Sequence, residues 1–256
     1  MTEKLQCTAA ELLAVLSARE LRNGQVVFAG VGTPLLAASL AQRVDCPNLT
    51  ILFEGGVVGA SIVPGKMPPS TNDQRCARMA NMVLGSSEVM LLMQRGYVDY
   101  GFLGGAQIDQ FGNLNSSFIG DFTDPKIRLP GSGGANDIAS LTKFIVSIRH
   151  EKRRFVSKVD FVTTPGFVNG GNSRYESGLL RGGCYRVITD LGVFGFDDKT
   201  KRMKVLAVNP SSSLEEIRDN TGFDLLVDDK IGTTAPATQR ELTILRELDP
   251  LRIFTS

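Results

Sequence analysis

The chain has 256 residues, 42% hydrophobic and 21% charged, with no low-complexity tract, enough to bury the core of one large domain spanning 1–256. Its 28 basic and 27 acidic residues leave a formal charge of +1, which advertises neither nucleic acid nor an acidic membrane and points to small molecules or other chains as partners. No stretch approaches about 18 uninterrupted apolar residues, and the N-terminus lacks a basic segment followed by an apolar core, so a soluble, cytoplasmic protein is expected.

The elements, taken in chain order, follow an α/β grammar. Thr8-Ala9-Ala10-Glu11 has the form of a capping box and opens an amphipathic helix that Asn23-Gly24 should end. A buried strand is predicted over 25–29. The turn Gly30-Val31-Gly32-Thr33-Pro34 leads into a second helix running to about 43, with Thr33 placed to cap it and Pro34 suited to its first turn. A strand over 49–53 follows. Further on, the pattern predicts helices over 87–95, 138–142, 214–219 and 237–248, with strands over 98–103, 144–148, 159–163, 186–189 and 203–208. Residues 173–183 read as a long flexible loop. Strand, glycine turn, helix, strand implies an open, mainly parallel sheet flanked by helices, whose ligands gather at the carboxyl ends of the strands.

Glu54 is the residue that this order makes most informative. It ends the apolar run Leu49-Thr50-Ile51-Leu52-Phe53 and is followed at once by Gly55-Gly56. A charge there is costly to bury unless it is solvated, paired or used. The two glycines allow a sharp turn and leave room for a ligand to approach. An ordinary loop boundary is the bland alternative.

Two glycine turns test for nucleotide binding. Gly30-x-Gly32 lacks the third glycine of the dinucleotide fingerprint, since Leu35 holds that place, though Glu54 could serve as the ribose-binding acid. Gly131-Ser132-Gly133-Gly134 has no Gly-Lys-Ser/Thr ending and is no Walker loop. Either turn could present backbone N–H groups to an oxyanion, a phosphate or a carboxylate. Four scattered cysteines without a C-x-x-C pair suggest neither a zinc site nor a disulfide scaffold, and Cys184 has no base beside it in sequence. The lone His150 leaves a metal cage or a Ser-His-Asp triad little to build on and reads as structural, so no metal is expected. The run Lys152-Arg153-Arg154 could bind phosphate but, beside Glu151, reads better as a solvated face.

Read together, Gly30-Val31-Gly32-Thr33-Pro34, Phe53-Glu54-Gly55-Gly56, Gly104-Gly105-Ala106-Gln107-Ile108-Asp109-x-x-Gly112-Asn113 and Gly131-Ser132-Gly133-Gly134-Ala135-Asn136 form an ordered set. The set resembles the beta subunits of family I CoA-transferases, in which a G-x-G-x-P turn, a glutamate followed by glycine, a G-A-x-Q-x-D-x-x-G-N stretch and a G-G-A turn follow one another at comparable spacing. The glutaconate branch is resembled further at 115–121, 131–139, 150–155 and 220–225, and the likeness runs from 11 to about 249.

The resemblance implies the three-layer fold of that family and a covalent mechanism. Glu54 would attack an acyl-CoA thioester, giving an acyl-glutamyl anhydride and then a glutamyl-CoA thioester, with ping-pong kinetics. Coenzyme A thioester would be the substrate, with no permanently bound cofactor. Gly133, Gly134 and Ala135 are candidate oxyanion donors. Gly30, Gly32, Gln107 and Asn136 should lie near Glu54 and the thioester arm, although Gln107 could equally be a satisfied core amide and Asn136 a helix cap. The family's principal oxyanion glycines are on a homologous alpha subunit, so a partner chain is expected, in an α2β2 or larger assembly, with a short dicarboxylic or unsaturated acid as the acyl group.

One departure bears on the substrate. Glu54 is followed by Gly55-Gly56, where the oxoacid branch carries Asn-Gly and the glutaconate type Ser-Gly, so the acyl pocket should differ. Relatives on this fold also act as acyl-CoA hydrolases or as cofactor-free decarboxylases of glutaconyl-type thioesters, often without the glutamate, and retained Glu54 favours transfer. A non-catalytic ligand-binding module is the reading from another class.

Overall fold

The computed structural model describes residues 6–255, and residues 1–5, where a leader would begin, lie outside them. The chain divides into two compact units, one running to Phe102 and resuming at Pro236, the other spanning Leu103–Ala235.

In the first unit, helix α1 (Ala9–Arg19) opens on the predicted capping box. Thr8 Oγ1 accepts the Glu11 N–H at 3.1 Å and the Glu11 carboxylate accepts the Thr8 N–H at 2.9 Å. Strand β1 (Val26–Phe28) leads through the glycine turn into α2 (Thr33–Val44). Gly32, not Thr33, takes the N-cap: its φ of +89° suits a residue without a β-carbon, its carbonyl accepts the Leu36 N–H at 3.0 Å, and Thr33 and Pro34 are the first helical residues. Then come β2 (Thr50–Leu52), β3 (Val57–Val58), a 3₁₀ turn at Gln74–Ala77, β4 (Met82–Val83), α3 (Ser86–Gln94) and β5 (Tyr100–Leu103), where the first unit ends. β1 lies between β2 and β5 and runs parallel to both; β3 and β4 extend the sheet antiparallel beyond β2.

The second unit opens with two small antiparallel pairs, β6 (Gln107–Ile108) with β7 (Leu114–Asn115) and β8 (Phe118–Gly120) with β9 (Pro125–Arg128). After α4 (Ala135–Leu141) it builds a sheet from β10 (Lys143–Ser147), β11 (Gly183–Ile188), β12 (Gly192–Phe196), β13 (Met203–Val208) and β14 (Leu226–Thr233), adjacent in that order. β10 with β11 and β13 with β14 are parallel, and β12 is antiparallel to both neighbours. Helices α5 (Ser173–Glu176) and α6 (Leu214–Asp219) lie in the connections. The α/β class expected from the strand–helix alternation is the observed one, with parallel strands through the middle of the first unit's sheet.

Helix α7 (Gln239–Leu248) returns the chain to the first unit and packs on α1 and α2. It mirrors α1: Glu241 closes its capping box and receives Arg19 from the last turn of α1 at 2.8 Å, while Glu11 receives Arg246 from the last turn of α7 at 2.7 Å.

Three local expectations are corrected. The stretch 159–163 is not a strand: its backbone makes only the Thr163 bond to Leu114 O, while the Asp160 side chain is turned to Gly120 and Gln107. The stretch 173–183 is not a flexible loop. Buried Arg174 on α5 donates to the carbonyls of Ala139, Pro165, Gly166 and Arg181 and pins the segment through its guanidinium. Cys184 begins inside β11 and is buried, which pushes its thiol up, away from a nucleophile's range; nearby Asp109 acts in the same direction. Among the described residues no helix is long and apolar enough to cross a membrane.

Candidate active site

Parallel pairing fixes the position of Glu54. Phe28 is in register with Leu52, and the Ala29 N–H still donates to Leu52 O at 3.1 Å, so Gly30 and Glu54 leave the carboxyl ends of adjacent strands. The chain reverses at once into β3: the Gly56 N–H donates to Phe53 O at 3.0 Å and the Phe53 N–H to Val57 O at 2.9 Å. Glu54 therefore stands at the first corner of a tight turn, half-exposed, and its carboxylate has no hydrogen bond or ion pair among the described residues. A carboxylate fixed by its backbone and unpaired at its oxygens is available to a ligand.

The glycines beside it serve a purpose other than the expected one. A β-carbon at Gly55 would collide with the Asn72 side chain and the Thr71 carbonyl, and one at Gly56 with the Leu84 carbonyl; Gly56 also has φ of +102°. The space they leave is filled by the protein's own chain, not held open for a ligand. Gly30 is the opposite case, since a β-carbon there would meet nothing within 4 Å. Gly32 ends the same turn at the N-terminus of α2. A cavity of about 550 Å³ elsewhere in this unit is lined by Arg43, Asn48, Ser61 and Asn81, by the start of β2 and away from its carboxyl end.

The remaining predicted residues lie in the second unit, joined by one polar network. Gln107 is buried and fully engaged: its Oε1 accepts from Asn115 Nδ2 at 2.7 Å and from the Asp160 N–H at 3.0 Å, and its Nε2 donates to Asp160 Oδ2 at 3.2 Å. Of its two possible roles, the satisfied amide is what this geometry displays. Asn136 is the second residue of α4 and does not cap it; Gly134 holds the cap position, and Asn136 Nδ2 donates to Thr163 O at 3.0 Å.

Between these anchors runs the glycine turn. Gly131 and Gly133 have φ of +90° and +50°, which only glycine adopts readily. The Ala135 N–H donates to Ser132 O at 2.9 Å and is already used, whereas the N–H groups of Gly133 and Gly134 have no acceptor among the described residues. Two adjacent open amides ahead of a helix form a small anion-binding concavity.

Ser116, Asp160 and Thr163, which tie the network together, do not stand out in the sequence. Their signal is hidden, because a hydroxyl or a carboxylate in an irregular segment has no periodicity to betray it. His150, by contrast, proves structural as expected: it stacks on Phe155 with ring centroids 3.9 Å apart, its ring nitrogens meet the hydroxyls of Thr189 and Thr221 at 3.3 and 3.0 Å, and burial pushes it down to about 4. Arg153 and Arg154 both turn to Glu151, at 2.6 and 3.2 Å.

Comparison with known proteins sets this geometry in context. The model of the coenzyme A transferase family matches residues 10–220. The beta subunit of glutaconate CoA-transferase from Acidaminococcus fermentans is 41% identical over 99% of this chain and 97% of its own. The beta subunit of 3-oxoadipate CoA-transferase from Pseudomonas knackmussii is 37% identical over 93% and 92%. The crystal structure of the Acidaminococcus glutaconate coenzyme A-transferase superposes with a TM-score of 0.91 at 38% identity, covering 97% of each chain.

Proposed function

The chain belongs to the coenzyme A transferase family, and from that premise we propose that it is the glutamate-bearing subunit of a heteromeric enzyme moving CoA between carboxylic acids. The observation that carries this reading is Glu54 itself: a half-exposed carboxylate, unpaired among the described residues, held at the corner of a turn at the carboxyl end of β2.

In this account a Glu54 carboxylate oxygen attacks the thioester carbonyl carbon of an acyl-CoA. The C–S bond breaks and CoA leaves as thiolate, giving a mixed acyl-glutamyl anhydride. The thiolate then attacks the glutamyl carbonyl, the anhydride C–O bond breaks, and the first acid leaves as carboxylate. What remains is a Glu54-CoA thioester. An acceptor carboxylate reverses the sequence, so Glu54 is regenerated intact and no proton or redox partner is consumed. Each tetrahedral intermediate carries an oxyanion, for which the open amides of Gly133 and Gly134 are suitable donors. The Gly30–Gly32 turn, with open space at Gly30, suits close approach of the thioester arm.

We further propose a homologous alpha subunit as partner, in an α2β2 or larger assembly, with this whole chain acting as one functional domain in the cytoplasm. Support comes from both relatives being named as one subunit of an enzyme, from the family match running through both units, and from large apolar side chains left in water. Met82 and Val83 on β4 are 48% and 66% exposed, and Phe122 of the second unit 64%. The substrate is proposed as a short dicarboxylic or unsaturated acyl-CoA, in keeping with the acids that the two relatives are named for.

The test is steady-state kinetics on the chain co-expressed with its partner, using glutaconyl-CoA and acetate. Parallel double-reciprocal lines and CoA appearing on the acceptor acid support transfer. Thioester loss at an unchanged rate without acceptor would instead establish a hydrolase.

A further inference from the structure

We propose that Thr163 is the positioning residue of the glycine turn, holding both of its ends so that the Gly133 and Gly134 amides face the oxyanion; this rests on the transferase reading above.

Thr163 is buried, and its hydroxyl is saturated. Its single proton goes to Asn115 Oδ1 at 3.4 Å, and its two lone pairs accept the Ser116 N–H at 3.0 Å and the Ser117 hydroxyl at 2.7 Å. Ser116 in turn grips the start of the turn twice. Its Oγ donates to Gly131 O at 2.9 Å, and its carbonyl accepts the Gly131 N–H at 2.8 Å. The far end is held by the Thr163 backbone, whose carbonyl accepts from Asn136 in the first turn of α4. One residue thus fixes the strand before the turn through its side chain and the helix after it through its main chain.

The turn needs such support. With positive φ at Gly131 and Gly133 and no side chain on three of its four residues, it has little packing of its own, and glycine gives the backbone maximal freedom. Oxyanion donors act only when prealigned, and a misplacement of about 1 Å costs on the order of 100-fold in rate. A hydroxyl with three partners in a buried site supplies the alignment that the glycines cannot.

The experiment compares Thr163→Val, which keeps the shape and removes the hydroxyl, with Thr163→Ser, which keeps the hydroxyl, in the complex with the partner subunit. Three readouts are taken: kcat and KM for CoA exchange, thioester trapping at Glu54, and amide hydrogen exchange over 131–136. Thr163→Val should lower kcat about tenfold or more with KM changed less than about twofold, and speed exchange in the turn about tenfold; Thr163→Ser should stay within about threefold of wild type in each. Should Thr163→Val not fold, Ser116→Ala removes one grip on Gly131 and should show the same split in smaller measure. Wild-type kcat and exchange in Thr163→Val, or equal loss in Thr163→Ser, would overturn the positioning role alone. A wild-type complex that turns over with Glu54 unmodified would overturn the transferase reading, and the catalytic purpose of the turn with it.

Discussion

The Gly56 N–H donates to the Phe53 carbonyl across the corner that Glu54 occupies, at 3.0 Å. That bond makes the position of the carboxylate a property of the turn, and the turn is possible only because Gly55 and Gly56 let the segments carrying Asn72 and Leu84 pass close by. Gly56→Ala must relieve both a positive φ and a collision with the Leu84 carbonyl. It should lower stability by about 3 kcal/mol in denaturant unfolding of the complex. Gly30→Ala, with open space around the new methyl, should leave stability within about 0.5 kcal/mol of wild type while weakening acyl-CoA binding in calorimetry.

Gln107 provides a test of what a buried amide contributes. Gln107→Leu removes the acceptor of Asn115 and of the Asp160 N–H and the donor to the Asp160 carboxylate. Stability should fall by about 2 kcal/mol, measured without any ligand, because polar partners are left buried and unmatched. Unchanged ligand-free stability, with only acyl-CoA binding reduced, would assign Gln107 to the substrate instead.

Stability should also fall on the acid side in two stages. His150 is held down to about 4 by burial, below its ordinary 6.5, so the unfolded chain takes up its proton first and stability declines as pH drops from about 6.5 toward 4, by about 3 kcal/mol in all. The carboxyls of Glu11 and Glu241 are opposed by burial, yet the hydrogen bonds from Arg246 and Arg19 and from the capping boxes hold them below the ordinary range. Their contribution is present above about 4.5 and is lost as pH falls through their lowered values. Urea titrations from pH 8 to 3 should show the first stage missing in His150→Gln and the second reduced in Glu11→Gln.

Much of this is written locally in the chain. The capping box at Thr8 and Glu11, the helix over 214–219 and the strand over 203–208 need only near neighbours to form, and they stand where the residues predict. Glu54 is legible because an apolar run, a charge and two glycines are contiguous. Thr163 and Arg174 are not, since their meaning depends on carbonyls and amides brought together from 115–117, 136, 139 and 165–181 by the fold. Gly55 and Gly56 mislead for the same reason: a glycine required by another stretch of chain looks, in sequence, like one left open for a ligand.

The most direct test of the central claim is mass spectrometry of the complex, incubated with glutaconyl-CoA and treated with borohydride or hydroxylamine to trap a thioester. The account predicts modification at Glu54 within one turnover, absent in Glu54→Ala together with all CoA transfer. Active turnover with Glu54 unmodified, or transfer surviving in Glu54→Ala, would contradict it.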